Sequence, residues 1–370
     1  MEKDYRFNLE EMAGAIGDYG TLIPIIIGVA AVTNIKLSPM LFFFGLSYIA
    51  TGLYYKLPMP VEPMKAMGAI AISGALTASE IAGAGIITGI IFLIVGLTGS
   101  MKYIKKYVPQ WLIRGIQLEL ALTLGKTALG FIAGNRILGL VAVGIIILFY
   151  FLPTKDISSL VVFALGLGIG IYYNGLPPLT TFNWPVLNLP AAGEIWSGFI
   201  KGTLPQLPLT LGNAVLATSL LITDLLDRKV PEKKIVSSIG LMCLITSPLG
   251  GFPMCHGAGG LAAQYRFGAR TGGSNIISGT ILLLIAFFFG SQELVNIIPY
   301  GVLGALLLFS ALQLFKSAIQ TKNKIFTGLT GVIALFWGMT VAFATMFIIH
   351  LIMDYLLDNN NHIESFIFLF

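Results

Sequence analysis

Two stretches decide the fold: PMPVEPMK at residues 58–65 and FPMCHGAGG at residues 252–260. Each opens a long apolar run with prolines or glycines, which resist a helix interior or tolerate unusual backbone dihedrals. Each stretch therefore predicts an extended segment that turns into the start of a helix. The backbone N–H groups at such a start, and its positive dipole end, attract anions. Two proline kinks in packed helices are the alternative interpretation.

The rest of the chain places these stretches in a membrane. Of 370 residues, 56% are hydrophobic and 11% are charged, whereas about a quarter of the residues in soluble domains are charged. Apolar runs follow one another from Met12 to residue 357, and several fall short of the ~20 residues that a span needs. We count 12–14 spans and prefer fourteen, with the last two runs, 325–338 and 339–357, barely separated.

The two halves of the chain are related. A shift of 195 residues places Gly17-Asp18 on Gly212-Asn213 and Pro58-Met59 on Pro253-Met254. Seven spans per half force the halves into opposite orientations, so the repeat is inverted and its substrate site is expected near the bilayer midplane. The predicted division is a first repeat at 1–174, an extracytoplasmic connector at 175–202 and a second repeat at 203–370.

The basic residues predict the orientation. With fourteen spans and a cytoplasmic N-terminus, sixteen of the 22 Lys and Arg residues fall in cytoplasmic segments and four in outer segments. This bias follows the positive-inside rule, and it places both termini in the cytoplasm of a cell-membrane protein. The basic residues form no patch with interleaved aromatics, so no nucleic-acid partner is expected.

Charged residues inside apolar runs are the strongest functional candidates because a charge at membrane depth is costly. Glu62 and Lys65 are three residues apart, on one helical face, and either form a neutralising ion pair or bind an anion through Lys65 with Glu62 as a proton carrier. Asp18, whose repeat mate is Asn213, either marks a short helix break, where it caps backbone amides or takes part in ion coupling, or makes simple interhelical hydrogen bonds. His256 either donates to an oxyanion or packs.

Other chemistry has little support. The three histidines are too far apart in sequence for a zinc site, and Gly125-Lys126-Thr127 lacks the first glycine of a phosphate-binding loop, where Leu120 stands. We therefore predict a protein that is not an enzyme and that has neither a cofactor nor a metal. An intramembrane hydrolase with Asp18, Glu62 and His256 as its only candidates, and a non-transporting scaffold, are the alternatives of another class.

The motifs resemble those of the molybdate transporter family, a relative of the sulfate permeases. The resemblance rests on residues 14–24, on 58–65 and on 253–273, which includes Gln264-Tyr265-Arg266-Phe267-Gly268. It implies an all-α membrane protein with the seven-plus-seven inverted repeat of sulfate and uracil permeases, and with short strands before the third and tenth spans. It also implies core and gate domains that move in an elevator-like fashion, and no cytoplasmic STAS domain.

Function and site follow from the residues and the resemblance together. The expected function is secondary transport of molybdate or a related tetrahedral oxyanion, with Glu62 and Asp18 as the candidates for proton coupling. A sulfate or nucleobase permease is the alternative. The partners considered are the oxyanion, the lipid bilayer and a second copy of the chain in a homodimer. The candidate substrate-binding residues are Asp18, Thr21, Val61, Glu62, Lys65, Asn213, His256, Gly257, Ala258 and Gly259.

One position departs from the family pattern. Members commonly carry Gln where this sequence has Glu62. A carboxylate at that position repels an oxyanion unless it is protonated or paired with Lys65.

Overall fold

The computed structural model describes residues 4–152, 157–291, 297 and 299–359, and these residues form a helical protein with one two-stranded sheet. The elements of the first half are α1 Leu9–Gly17, α2 Tyr19–Thr33, α3 Leu37–Tyr55, β1 Glu62–Pro63, α4 Lys65–Ile72, α5 Ala78–Thr98, α6 Met101–Tyr107, α7 Gln110–Gly134, α8 Arg136–Phe151 and α9 Ser158–Asn174. Those of the second half are α10 Ala192–Gly198, α11 Leu204–Leu209, α12 Thr218–Leu226, α13 Glu232–Thr246, β2 Met254–Cys255, α14 Ala258–Arg266, α15 Gly272–Phe288, α16 Tyr300–Ala318, α17 Lys324–Trp337 and α18 Met339–Asn359.

The helices of the described residues suit a bilayer. Four of them (α3, α5, α7 and α16) are long and apolar enough to cross a membrane alone, and two bent rods, α1 with α2 and α10 through α12, raise that number to six. Four more apolar helices (α8, α9, α15 and α17) and the stretch Val341–Tyr355 of α18 are 10–17 residues long. The remaining segments are α13 and the two strand-helix units, β1 with α4 and β2 with α14. Fourteen segments result, as the sequence predicts.

The longer elements follow the same order in both halves. Each half begins with a bent rod, continues with one helix, enters a short strand and a short helix, and ends with four longer helices. In the first half, the short helix α6 lies between the first two of these four. The rods differ at their bends. The first breaks at Asp18, whereas the second is continuous and contains two π-helical stretches, Phe199–Thr203 and Thr210–Ala217. Gly338, with φ of +88°, separates α17 from α18, so the last two apolar runs are two helices.

Glycine contacts join the halves in a reciprocal way. Helix α3 packs on α15 and α5 packs on α13. A Cβ on Gly45 would lie 2.8 Å from the carbonyl oxygen of Gly279, and a Cβ on Gly240 would lie 2.9 Å from that of Gly89. Small residues permit this close approach of helices in a membrane. Because Gly45 matches Gly240 under the 195-residue shift, the two contacts are equivalents within the repeat.

The sheet joins the stretches 58–65 and 252–260, and its four residues are buried. Strand β1 pairs antiparallel with β2, with Glu62 opposite Cys255 and Pro63 opposite Met254. The ladder continues through the N–H of Met64, which donates to the carbonyl oxygen of Pro253 at 3.0 Å. Only two residue pairs form the sheet, so the short strands predicted before the third and tenth spans meet each other directly.

Some sequence predictions stay predictions. Residues 175–191, before α10, have no regular secondary structure, and the boundaries predicted at residues 174 and 202 remain predictions. Lys3, Lys155 and His362, which entered the charge and histidine arguments, lie outside the described residues.

Candidate functional site

The site begins with two short helices that start deep in the protein. Prolines at 58, 60 and 63 keep the backbone extended until Met64 (φ −62°, ψ 108°), and α4 starts at Lys65. Gly257 is also extended (φ −105°, ψ 133°), and α14 starts at Ala258. Neither N-cap side chain satisfies the first N–H groups of its helix. Both helix starts therefore need partners from elsewhere.

Three charged side chains gather over the first turn of α14. Lys65 Nζ lies 2.8 Å from Glu62 Oε2, so the ion pair expected from their spacing is present. A Cβ on Gly257 would lie 1.5 Å from Glu62 Oε2, one on Gly259 would lie 3.8 Å from Lys65 Nζ, and one on Gly260 would lie 2.7 Å from Asp18 Oδ2. The absence of side chains at these glycines is what lets the charged groups approach the backbone of the helix.

Asp18 reaches this turn from the break between α1 and α2. Its side chain is fully buried, and Tyr48 donates its O–H to Asp18 Oδ2 at 2.7 Å. The carboxyl groups of Asp18 and Glu62 are close enough to interact electrostatically. Asp18 Oδ1 and Glu62 Oε1 are buried without a hydrogen-bond partner among the described residues. Two such acceptors at one helix start mark a place where protons or ligands can bind.

The first turn of α4 is different because a side chain already caps it. Gln206 Oε1 accepts hydrogen bonds from the N–H groups of Ala66 and Met67 at 3.0 and 3.2 Å. Gln206 Nε2 in turn donates to Thr210 Oγ1 at 3.0 Å. The sequence suggested two equivalent helix starts facing one anion, and in this structure the start of α4 holds an amide oxygen instead.

His256 is tied into the scaffold by both ring nitrogens. Nδ1 donates to the carbonyl oxygen of Pro60 at 2.8 Å, and Nε2 lies 2.8 Å from Ser238 Oγ. Tyr55 continues this chain of hydrogen bonds, with its hydroxyl 2.7 Å from Ser238 Oγ. Since Pro60 O can only accept, Nδ1 carries the proton and Nε2 accepts from the serine in a neutral ring. This arrangement favours the packing alternative for His256.

The structure gives the remaining predicted residues different degrees of contact with the charged group. Val61 and Ala258 are fully buried, and Val61 precedes Glu62 in the sequence. The backbone N–H of Thr21 donates to the carbonyl oxygen of Asp18 at 3.0 Å. Asn213 lies in the second π-helical stretch, where its Oδ1 is buried without a hydrogen-bond partner among the described residues. In the part of the chain that the structure describes, no hydrogen bond joins Asn213 to Lys65 or Glu62, so its link to the site remains a prediction of the repeat.

Sequence reasoning missed three residues that support the site. Tyr48 and Gln206 were not singled out, although Gln206 is a polar residue within an apolar run. Glu119 lies in the apolar run of α7, where its buried carboxylate lies within electrostatic range of Lys65 and accepts a hydrogen bond from Thr123 at 2.7 Å. Arg114, in the same helix, pairs with Asp224 at 2.7 Å. No cluster of metal-ligating side chains occurs among the described residues.

The sequence comparisons agree with the motifs. A family model described as "Molybdate transporter of MFS superfamily" matches residues 10–124 and 198–314. Molybdate transporter 2 of Arabidopsis thaliana is 34% identical over 373 residues, covering 85% of this chain and 80% of the relative. Molybdate transporter 1 of the same plant is 34% identical over 374 residues, covering 86% and 82%.

Solved structures show the fold, and the sequence relatives show the family. The transmembrane domain of a cyanobacterial bicarbonate transporter, BicA, superposes with a TM-score of 0.59 at 18% identity, covering 93% of this chain and 96% of that one. Murine Slc26a9, an anion transporter in the inward-facing state, gives a TM-score of 0.61 at 12% identity, covering 96% and 69%. The fold of this chain is thus the inverted-repeat fold of these two structures. With family-model matches in both halves and relatives at 34% identity, this multi-pass membrane chain belongs to the molybdate transporter family.

Proposed function

We propose that this chain is a secondary transporter of molybdate or a closely related tetrahedral oxyanion, and that the anion binds over the first turn of α14. The observation that carries the proposal is the position of Lys65, whose ammonium group faces Gly259 at the positive end of that helix. Lys65 and the first N–H groups of α14 would contact the anion together. Leu120 and Leu124 of α7 also face Gly259 and would form the apolar side of the site.

The charges explain why the anion needs help to bind. Asp18 and Glu62 bring two carboxyl groups to the place where a helix start and one lysine attract an anion. A helix start stabilises an anion by about 0.3–1 kcal/mol, and by up to ~2 kcal/mol when partly buried. An ionised carboxylate a few ångströms away offsets that gain. A divalent oxyanion therefore binds best when at least one of these carboxyl groups is neutral.

This requirement suggests a route for proton coupling. A proton on Glu62 or Asp18 would remove one negative charge. The protonated carboxyl could then donate its O–H to the other carboxyl, because Asp18 Oδ1 and Glu62 Oε1 have no hydrogen-bond partner among the described residues. The proton and the oxyanion would then enter the site together, which is symport. Glu62 is the preferred proton carrier because it also pairs with Lys65, so its protonation would free the ammonium group for the anion.

The proposed roles divide the candidate residues into three groups. Lys65 and the backbone of Gly257, Ala258 and Gly259 contact the anion, while Glu62 and Asp18 manage its charge. Thr21 and Val61 shape the walls. Asn213 and His256 keep their predicted place near the substrate, and the hydrogen bonds of His256 suit it to holding residues 60 and 256 in register.

Sulfate is the second candidate substrate because its shape and charge match those of molybdate. A nucleobase is less suitable, since the glycine-rich turn of α14 offers no aromatic surface for stacking. We further propose location in the plasma membrane with both termini in the cytoplasm, a homodimer, and repeats at 1–174 and 203–370 joined by the connector 175–202.

Uptake by reconstituted protein tests the function. Purified chain in liposomes is expected to accumulate labelled molybdate, and competition with unlabelled tungstate, sulfate and uracil ranks the substrates. Absence of uptake of molybdate, tungstate and sulfate under every imposed pH gradient would contradict the proposal. Inhibition by uracil at equal concentration, without inhibition by the oxyanions, would favour the nucleobase alternative.

The same liposomes test proton coupling. Glu62→Gln, which keeps the shape of the side chain and removes its charge, is expected to bind molybdate but to lose the acceleration by an inward proton gradient. The matched control is Glu194→Gln, a partly buried residue that caps α10 far along the sequence from the charged group. Unchanged gradient dependence in Glu62→Gln would remove Glu62 as the proton carrier.

A further inference from the structure

A second feature lies on the outer surface of the helices, away from the charged group over α14. Here a cavity of about 330 Å³ opens between the end of α8, the end of α14 and the last turns of α16. Its walls are mainly apolar, with Ile147 and Phe151 on one side and Phe309 and Leu312 on the other. Arg266 and Lys316 also line it, and none of the lining residues that the structure describes is acidic.

The apolar part of this groove lies on a surface that faces lipid. Phe151 is 77% exposed and Leu312 is 47% exposed in the isolated chain. On a soluble protein such side chains would form a hydrophobic patch, whereas on a membrane-spanning chain they contact acyl chains. A groove between them can hold one acyl chain more firmly than the bulk bilayer does.

The polar end of the groove is built around Arg266. Its guanidinium lies 5.6 Å from the ring centre of Tyr150, 5.5 Å from that of Phe267 and 5.4 Å from that of Phe309. These cation–π contacts hold the charge at the edge of an apolar cavity. Lys316, in the last turn of α16, adds a second, exposed positive charge.

The neighbouring cavity extends the positive region. It measures about 390 Å³, shares Arg266 with the groove and adds Arg6, Arg270, Glu10 and Glu11. The Glu11 carboxylate is already occupied, because it accepts from the N–H groups of Arg270 and Thr271 at 3.1 and 3.0 Å. Across the two cavities, four basic side chains stand against two acidic ones.

We propose that this groove is a binding site for an anionic phospholipid, with one acyl chain between α8 and α16 and the phosphate at Arg266 and Lys316. The apolar walls select a lipid over a soluble anion, because inorganic phosphate would leave them unused. The positive charges of Arg266 and Lys316 favour an anionic headgroup over a zwitterionic one. The inference is independent of the transported substrate.

Lipid retention by the purified, delipidated full chain tests the site. Native mass spectrometry after back-titration with phosphatidylglycerol or phosphatidylcholine is expected to show one tightly bound phosphatidylglycerol per chain. The double variant Arg266→Gln/Lys316→Gln is expected to weaken that binding by about tenfold or more, from the loss of two charges. The charge-matched control Lys322→Gln/Lys324→Gln removes two exposed lysines that do not line the groove, and it is expected to bind as the wild type does.

A third variant guards against misfolding of the arginine variant. Leu312→Trp fills the groove without changing charge, and it is expected to release the phosphatidylglycerol while leaving the thermal unfolding of the lipid-free chain unchanged. Equal retention of both lipids by the wild type, or of phosphatidylglycerol by all variants, would overturn the proposal. Thermal stabilisation by inorganic phosphate equal to that by phosphatidylglycerol would also overturn it, since it would show a site for a soluble anion.

Discussion

Residues 58–65 and 253–260 occupy the same place in the two halves but supply different chemistry. Each forms one strand of the small sheet and leads into a short helix. The first supplies the side chains, Glu62 and Lys65, and its helix start is capped by Gln206. The second supplies the backbone of Gly257, Gly259 and Gly260, which have no side chains. The side chains of Glu62, Lys65 and Asp18 lie against these three glycines. A duplicated fold has thus divided one site into a charged half and a glycine half.

Lys65→Ala is the largest test of that division. Removal of the Lys65 ammonium group leaves the Glu62 carboxylate, which is 1% exposed, without its ion-pair partner. Breaking a buried ion pair costs about 3–5 kcal/mol. We expect molybdate binding to be lost in isothermal titration and the thermal unfolding temperature to fall. Lys201→Ala, which breaks the more exposed pair with Glu80, is the control.

The double variant Lys65→Ala/Glu62→Gln separates binding from stability. It removes both charges, so most of the lost stability should return while binding stays absent. Wild-type affinity in this double variant would show that Lys65 does not contact the anion, and the charged half would lose its function.

Gly260→Ala tests the glycine half. Its Cβ would lie 2.7 Å from both Pro60 Cβ and Asp18 Oδ2, and overpacking of this kind costs about 1–3 kcal/mol. We expect affinity for molybdate to fall about tenfold, as ~1.4 kcal/mol implies. Gly130→Ala, in α7 with no atom within 4 Å of the new Cβ, is the matched control and should bind normally. Normal binding by both variants would refute the need for bare backbone at α14.

Tyr48→Phe tests whether the site depends on a hydrogen bond to Asp18 from a residue outside the stretches 58–65 and 253–260. The change removes the hydrogen bond to Asp18 Oδ2 and leaves that carboxyl without a side-chain donor, at a cost of about 1–3 kcal/mol. A lower unfolding temperature and a shifted pH dependence of uptake are expected. Tyr19→Phe removes a similarly buried hydroxyl that bonds to Ser278 instead, and its uptake should keep the wild-type pH profile.

Gln206→Ala should have the smallest effect. It uncaps α4, and loss of a helix cap costs about 0.5–2 kcal/mol. We expect lower thermal stability with molybdate affinity within about threefold of the wild type, and Gln320→Ala, at an exposed position, should change neither. A large rise in affinity would mean that the start of α4 also binds the anion once the amide is gone, and the two halves would be functionally alike.

Much of the architecture could be predicted from local patterns. Apolar runs, the 195-residue shift and the proline-rich or glycine-rich openings correctly indicated fourteen segments, the repeat and the two short helices. The three-residue spacing of Glu62 and Lys65 correctly indicated their ion pair. Each of these features depends on neighbours in sequence or on matching of the chain with itself.

The partners from distant segments could not be predicted. Tyr48 meets Asp18, Gln206 caps α4, and His256 joins Pro60 to Ser238, and no periodicity indicates these pairings. The repeat also suggested that its mates would behave alike, whereas Asp18 breaks a helix and Asn213 lies in a π-helical stretch. Side chains that differ between the halves redirect the same backbone toward different roles.

The reciprocal packing of α3 on α15 and of α5 on α13 has a consequence for biosynthesis. Helix α3 is complete once residue 55 has been synthesised, but the surface that covers Gly45 appears only with Gly279. During most of the translation of the chain, helix α3 must therefore lie in the bilayer with the face that carries Gly45 not yet packed against its partner helix. A chain stopped after Asn174 is expected to insert into the membrane but remain sensitive to protease, and co-expression of residues 175–370 should restore its resistance.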